Sequence, residues 1–285
     1  MIEEVFAQRI SEYGTTSELE KWNVVHEILQ ELALVSLSRA GFFSEAEFHG
    51  GTCLRIFRGL DRFSEDLDFA LKAPAAGFNW GRYLDRIQSD MGLRGIKAEV
   101  IDKSGVDATV KKAFLTPAAI GGILQLEVHS SGTPKKARIK LEVDTNPPAG
   151  SAAEINYLVF PEAAAVTIQT LETSFATKTH ALLCREYLKG RDWYDFAWYA
   201  ANGTTINFPH MQNAFRQSGP WAGTQVVVDR DWFSREIGKK IGEVDWKAAR
   251  EDVARFVPAR SQPMLDLWSR HFFEKQLENL LRKWD

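Results

Sequence analysis

Apolar residues recur along this chain with two different periods, and the change between them marks its organisation. Residues 2–13 read as a short helix ended by Gly14. Ser17, followed three residues later by Glu20, makes a capping-box pattern. Leu19, Trp22, Val25, Leu29 and Leu32 then share one face of a helix that runs to about Ala40 and stops at Gly41. Residues 46–49 form the end of a short strand before Gly50 and Gly51. Thr52 opens a segment with Leu54, Ile56 and Phe57, about two helical turns long, which Gly59 breaks. The period then becomes two. Leu67, Phe69 and Leu71 alternate with Asp66, Asp68 and Ala70, so a strand places both aspartates on one face and the apolar residues on the other.

Beyond that strand the pattern predicts a turn over 74–77, a helix over 78–91 and a strand over 96–101. A turn at 104–107 precedes strands over 110–115 and 123–128, then a turn over 130–134. A further strand follows over 138–144, with Ile139, Leu141 and Val143 facing inward and Lys140, Glu142 and Asp144 sharing the opposite face. Strands at this short spacing point to a mixed or antiparallel sheet and not to repeated βαβ units. Asn146, Pro147, Pro148, Ala149 and Gly150 are the best linker. After it come two short strands, 157–160 and 166–169, and then mainly helix. The fold class is therefore α/β (α+β): a mixed sheet flanked by helices over 1–150, followed by a mainly helical domain over 151–285.

In the helical part, Leu171, Phe175, Leu182 and Leu183 supply an apolar stripe. Gly190 reads as the glycine that ends that helix. Arg191, Asp192 and Asp195 fall in the first turn of the next, where carboxylates favour the helix dipole. Asp245 caps a helix over 246–256. Pro263 opens the last helix, with Leu265, Trp268, Phe272, Leu277 and Leu280 or Leu281 inward.

Composition narrows the picture only slightly. The 285 residues are 45% apolar and 26% charged, ordinary for a globular protein able to bury a full core. Cys53 and Cys184 lack metal-ligand spacing and read as reduced core thiols, which with the absence of a signal peptide or membrane span places the protein in the cytoplasm. The net charge of −3 argues against non-specific coating of DNA and leaves room for a local basic groove. Arg235, Lys239 and Lys240, and separately Arg250, Arg255, Arg260 and Arg270, are solvated faces or, less favoured, such a groove. His26, near an apolar stripe, reads as structural.

The candidate chemistry lies between His49 and Leu71. Two carboxylates at i and i+2 on a strand are hard oxygen ligands that point the same way, which suits Mg²⁺ or Mn²⁺. A turn of Gly50, Gly51 and Thr52 feeding a helix offers free backbone N–H groups and the positive helix end to a triphosphate. If the strand over 138–144 neighbours the aspartate strand, Glu142 or Asp144 supplies a third carboxylate, the number that two-metal transfer requires. Lys140 then neutralises phosphate charge. Lys178, with Arg185 one to two turns later, can point toward a triphosphate as well. Each feature alone has a plain reading: a solvated strand face, a simple turn, a charged edge strand.

Together, Gly50, Gly51, Thr52, Leu54 and Arg55, then Arg62, Phe63, Ser64, Glu65, Asp66, Leu67 and Asp68, resemble the signature of the AbiEii/AbiGii-type nucleotidyltransferase toxins. These belong to the DNA polymerase β-like nucleotidyltransferase superfamily. A second string, Lys189, Gly190, Arg191, Asp192 and Asp195, with Lys178 before it, matches the same family. The resemblance implies a nucleotidyltransferase-like sheet and an enzyme that moves a nucleoside monophosphate from an NTP to an acceptor hydroxyl and releases pyrophosphate. It implies a site in which Asp66, Asp68, Glu142 and Lys178 are catalytic, with Asp66, Asp68, Glu142 and Asp144 as metal ligands and Glu142 favoured over Asp144. Gly50, Gly51, Thr52, Arg62, Ser64, Lys140, Arg191, Asp192 and Asp195 are its nucleotide-binding candidates; the plainer reading of Asp192 is that it orients Arg191 or Lys178 instead of touching substrate. It further implies a toxin of a toxin–antitoxin or phage-defence system, with tRNA as acceptor and a separately encoded antitoxin as partner. Two alternatives stand beside it: a small-molecule, antibiotic-type nucleotidyltransferase, and a catalytically silent nucleotide-binding interaction protein.

Overall fold

The computed structural model describes residues 2–15, 17–105, 108–117, 129–130, 133–134 and 137–285. The strand expected over 123–128 lies outside them, as do parts of the turns expected at 104–107 and 130–134. The chain forms two compact units. The first comprises Met1–Gly59, Phe63–Pro147 and Ile155–Ile168, the second Leu60–Arg62, Pro148–Glu154 and Gln169–Asp285.

The first unit opens with helices α1 (Ile2–Glu12) and α2 (Glu18–Arg39). The Ser17 side chain accepts from the Glu20 amide, as the capping-box spacing predicts, and Gly41 ends the helix in a left-handed conformation. Then come β1 (Ala46–His49), α3 (Gly50–Arg58), β2 (Asp66–Leu71), α4 (Gly81–Leu93), β3 (Ala98–Asp102) and β4 (Val110–Pro117). A small ladder of β5 (His129–Ser130) and β6 (Thr133–Pro134) stands apart from the main sheet. The remaining strands are β7 (Ile139–Asp144), β8 (Ala153–Leu158) and β9 (Ala164–Gln169).

The main sheet is mixed, in the order β3-β4-β7-β2-β1-β9-β8. Strands β2 and β7 run parallel, as do β1 and β9, while β1/β2, β3/β4 and β4/β7 are antiparallel. The inward residues of β2 and β7 (Leu67, Phe69, Leu71, Ile139, Leu141 and Val143) form one core with Phe48, Ile168 and the residues of α2. Each such side chain contributes roughly 1.5–3 kcal/mol when fully buried. The alternation along β7 leaves Lys140, Glu142 and Asp144 half-buried on the other face.

Helix α2 departs from the expected single apolar stripe. It is buried all round from Val24 to Leu37, because α1, α4 and β7 pack against it, and only Leu19 of the predicted face stays exposed. The helix expected from residue 78 begins at Gly81 instead. Asn79 accepts from the Gly81 amide, and the Phe78 and Trp80 rings pack against Phe42 and each other.

The second unit is helical: α5 (Leu171–Cys184), α6 (Gly190–Asn202), α7 (Phe208–Gln217), α8 (Arg230–Glu243), α9 (Trp246–Ala254) and α10 (Arg270–Lys283). Side chains of Thr170, Asn207, Asp229, Asp245 and Ser269 cap five of them. Its core is aromatic: Phe175 stacks on Tyr199 at 4.3 Å and Trp246 on Phe273 at 4.1 Å.

Two sequence expectations fail here for identifiable reasons. Gly190 does not end α5, which stops at Cys184; it is the first residue of α6, and its amide donates to Asp252. A Cβ at Gly190 would sit 2.0 Å from the Ala249 carbonyl oxygen, so the glycine serves close helix approach and not a left-handed turn. Pro263 does not open the last helix; it lies inside a 3₁₀ segment (Ala259–Leu267), and Ser269 starts α10 by accepting from the Phe272 amide. That later start turns Phe273 inward in place of Phe272. No described helix is long and apolar enough to cross a membrane.

Candidate active site

In the first unit the site is built on β2 and β7. Their parallel register sets Asp66 beside Lys140, Asp68 beside Glu142 and Ala70 beside Asp144. Asp66, Asp68, Lys140 and Glu142 thus share the half-buried face of two adjacent strands. Lys140 Nζ lies 2.7 Å from Glu142 Oε2 and 3.5 Å from Asp66 Oδ2, so one ammonium bridges two of the carboxylates. Lys112 Nζ approaches Glu142 Oε1 at 3.1 Å from β4. Sequence reasoning missed Lys112; the β4/β7 register that puts it opposite Glu142 is what reveals it. Asp144 sits one step along, where its carboxylate accepts from the Asn146 amide.

These contacts set the protonation states. Burial works against the Lys140 charge, but the hydrogen bond to Glu142 and the charges of Asp66, Glu142 and Asp68 outweigh it and raise the pKa. For Glu142, burial pushes the carboxyl up, and the hydrogen bonds and charges of Lys140 and Lys112 overcome that and hold it below the ordinary glutamate value.

The Gly-Gly-Thr turn abuts this face. Gly50 is the first residue of α3 and has φ +83°, a left-handed conformation that favours glycine. A Cβ there would lie 2.4 Å from Asp68 Oδ2. Gly50 therefore keeps the start of α3 pressed against the aspartate, and His49 leaves the helix without a side-chain cap. Thr52 donates to the Asp66 carbonyl and so ties α3 to the start of β2. Ser64, just before β2, accepts at its carbonyl from Gln30 Nε2 at 3.1 Å.

The second unit holds the other candidates. Asp195, on α6, is fully buried. Arg62 grips it with Nε and Nη2 at 2.7 and 2.6 Å, and Lys178 of α5 lies 2.8 Å away. Burial would raise the Asp195 pKa; the Arg62 and Lys178 charges reverse that and lower it. Asp192 pairs with Arg185, so orientation of Lys178 falls to Asp195 in its place. Arg191 lies over the Phe256 ring at 4.2 Å. Several of the basic residues noted in the sequence have acidic neighbours: Arg260 with Asp61, Arg270 with Glu274 at 2.7 Å and Arg235 with Glu236 at 3.0 Å. Burial pushes the Cys184 thiol up to about 11, above the ordinary thiol value.

Among the described residues no three His, Cys, Asp or Glu side chains already converge as a metal cage. The donor set nevertheless suits a divalent cation. Asp66, Asp68 and Glu142 are hard oxygen donors on one face, and the Lys140 ammonium lies within reach of two of them.

The class is that of the nucleotidyltransferases. The family model for the nucleotidyl transferase AbiEii toxin of type IV toxin–antitoxin systems matches residues 32–279. The chain belongs to this AbiEii family, and it is a nucleotidyltransferase toxin with an NTP as substrate. In fold it is similar to MenT4, a nucleotidyltransferase toxin from Mycobacterium tuberculosis H37Rv. The two share 17% identity over 98% of each chain, with a TM-score of 0.52. It is similar too to a protein from H. pylori described as a nucleotidyltransferase, with 18% identity over 92% of each chain and a TM-score of 0.50. No match is found among curated proteins.

Proposed function

We propose that the protein transfers a nucleoside monophosphate from an NTP to a hydroxyl of tRNA, in a reaction that depends on Mg²⁺ or Mn²⁺. The observation that carries this reading is the β2/β7 register, which puts Glu142 beside Asp68 and Asp66 on the same face. Asp66, Asp68 and Glu142 would hold the ions, which would supply Lewis-acid stabilisation of the charge that develops on the phosphate. The amides at Gly50, Gly51 and Thr52 receive the phosphates at the start of α3. Lys140 is a point charge for the same phosphates. Glu142, held ionised by two lysines, accepts the proton of the acceptor hydroxyl as its oxygen attacks the α-phosphorus and pyrophosphate leaves. Glu142 is the proposed third carboxylate, because it stands beside Asp68 in the register whereas Asp144 stands beside Ala70 and accepts from the Asn146 amide. Within the second unit, Lys178 is the proposed phosphate cation and Asp195 its positioning carboxylate, with Arg62 bound to the same aspartate. Arg191 and Asp192 remain proposed nucleotide-binding residues by family resemblance, and a separately encoded antitoxin the proposed partner.

The test is label transfer. Protein, Mg²⁺ and each α-³²P-labelled NTP are incubated with total tRNA and without RNA. Label on tRNA that disappears in both Asp66→Ala and Asp68→Ala is the expected result. Undiminished transfer in both variants would rule out this site, and label confined to reactions without RNA would overturn the tRNA acceptor.

A further inference from the structure

Helix α2 is buried all round, yet it carries His26, Glu27, Gln30, Glu31 and Ser36. Polar groups in such a place need partners. Two of them find those partners on the segments that flank the proposed site. The Glu27 carboxylate accepts from Arg55 Nε at 2.8 Å and from the Tyr13 hydroxyl. Arg55 lies on α3, one turn beyond Thr52, and its guanidinium covers the Phe63 ring at 4.3 Å. Gln30, one turn along α2 from Glu27, donates to the Ser64 carbonyl. Thr52 closes the loop by donating to the Asp66 carbonyl. Helix α2 therefore holds both the phosphate helix and the segment that leads into the aspartate strand.

We infer that Glu27 and Gln30 are positioning residues for nucleotidyl transfer, fixing the phosphate-binding turn at 50–52 relative to the carboxylates at 66 and 68. The inference rests on the site proposed above. Stability alone is a poor reason to keep this network. A buried ion pair such as Glu27–Arg55, with side chains 6% and 10% exposed, is commonly matched or bettered by apolar residues of the same volume. Its value is directional: it sets α3 at one angle and one distance. A misplacement of about 1 Å in a reacting geometry can cost on the order of a hundredfold.

The experiment measures the affinity of full-length protein for a non-hydrolysable α,β-methylene triphosphate with Mg²⁺ by calorimetry, and transfer kinetics where label transfer is seen. The variants are Glu27→Ala, Glu27→Gln, Gln30→Ala and Asp68→Ala, each checked for folding by circular dichroism. Glu27→Gln retains an acceptor for Arg55 and serves if Glu27→Ala fails to fold. Glu27→Ala and Gln30→Ala are expected to weaken nucleotide binding or lower kcat by about tenfold, with Glu27→Gln within about threefold of wild type. A merely structural role would lower the unfolding midpoint and leave both the affinity and the kcat of folded protein unchanged, and that result overturns the inference. If wild-type protein binds nucleotide and Asp68→Ala loses metal-dependent binding while both α2 alanine variants bind and turn over normally, only the positioning role falls. If wild type binds no nucleotide, the site and the positioning role fall together.

Discussion

Glu31 offers the most direct check on the buried network in α2. It is 3% exposed and lies one turn from Glu27, with Arg9 at 3.4 Å. Burial first, and then the Glu27 charge, push its pKa from 4.5 to about 8; Arg9 and Arg55 only partly offset this. In the unfolded chain the group ionises near 4.5, so the folded state binds the proton more tightly. Its contribution to stability is complete below pH 4.5 and is lost as pH rises to 8 and beyond. A shift of this size corresponds to about 5 kcal/mol in all, of which about 4 kcal/mol falls between pH 5 and 8.5. Glu31→Gln has the shape of the protonated acid and no proton to lose. Near pH 5 its stability is expected within about 1 kcal/mol of wild type. By pH 8.5 it is expected to be the more stable protein by several kcal/mol, on the same linkage. Urea unfolding followed by circular dichroism at four pH values between 5 and 8.5 measures this. Wild-type and variant stabilities that run parallel across the range would refute the argument, because the ionisation would then cost the folded state nothing.

Three further predictions concern the close approaches. Gly50→Ala forces a side chain into a left-handed position and against Asp68, so label transfer is expected to fall on the order of a hundredfold while the far-ultraviolet spectrum is kept; near-normal transfer would show that Asp68 need not sit there. Gly190→Ala drives a Cβ into the Ala249 carbonyl, and parting α6 from α9 is expected to cost about 1–3 kcal/mol, read as a lowered unfolding temperature. Asp195→Ala removes the buried carboxylate that Arg62 and Lys178 share; the expected cost is about 3–5 kcal/mol in urea unfolding, and a loss under 1 kcal/mol would refute the buried ion triad.

Local periodicity made much of the fold legible. The alternation of Leu67, Phe69 and Leu71 with two aspartates, and of Ile139, Leu141 and Val143 with Lys140 and Glu142, is a property of each strand alone. That the two strands are neighbours could only be posed as a condition, since pairing depends on the whole sheet. Glycine and proline misled where two meanings share one residue. Gly190 fitted a helix end in the sequence, but the demand it meets is room for the Ala249 carbonyl, a contact invisible without α9. Pro263 fitted a helix start, yet Ser269 had the capping geometry. Glu27, Gln30 and Lys112 escaped notice because their partners, Arg55, Ser64 and Glu142, lie far off in the chain. A polar side chain among the apolar residues of one helix is the signal that marks the first two.

The parallel β2/β7 pairing also sets when the proposed site can first assemble during synthesis. Asp66 and Asp68 leave the ribosome early, whereas Lys140 and Glu142 follow only after the intervening strands. Pairing across such a separation must first meet the entropy of closing the intervening loop. A nascent or prematurely terminated chain that ends before β7 carries the aspartates without their partners. On the proposed site, abortive translation before β7 yields fragments with part of the carboxylate set, which is complete only once β7 has been made through Asp144.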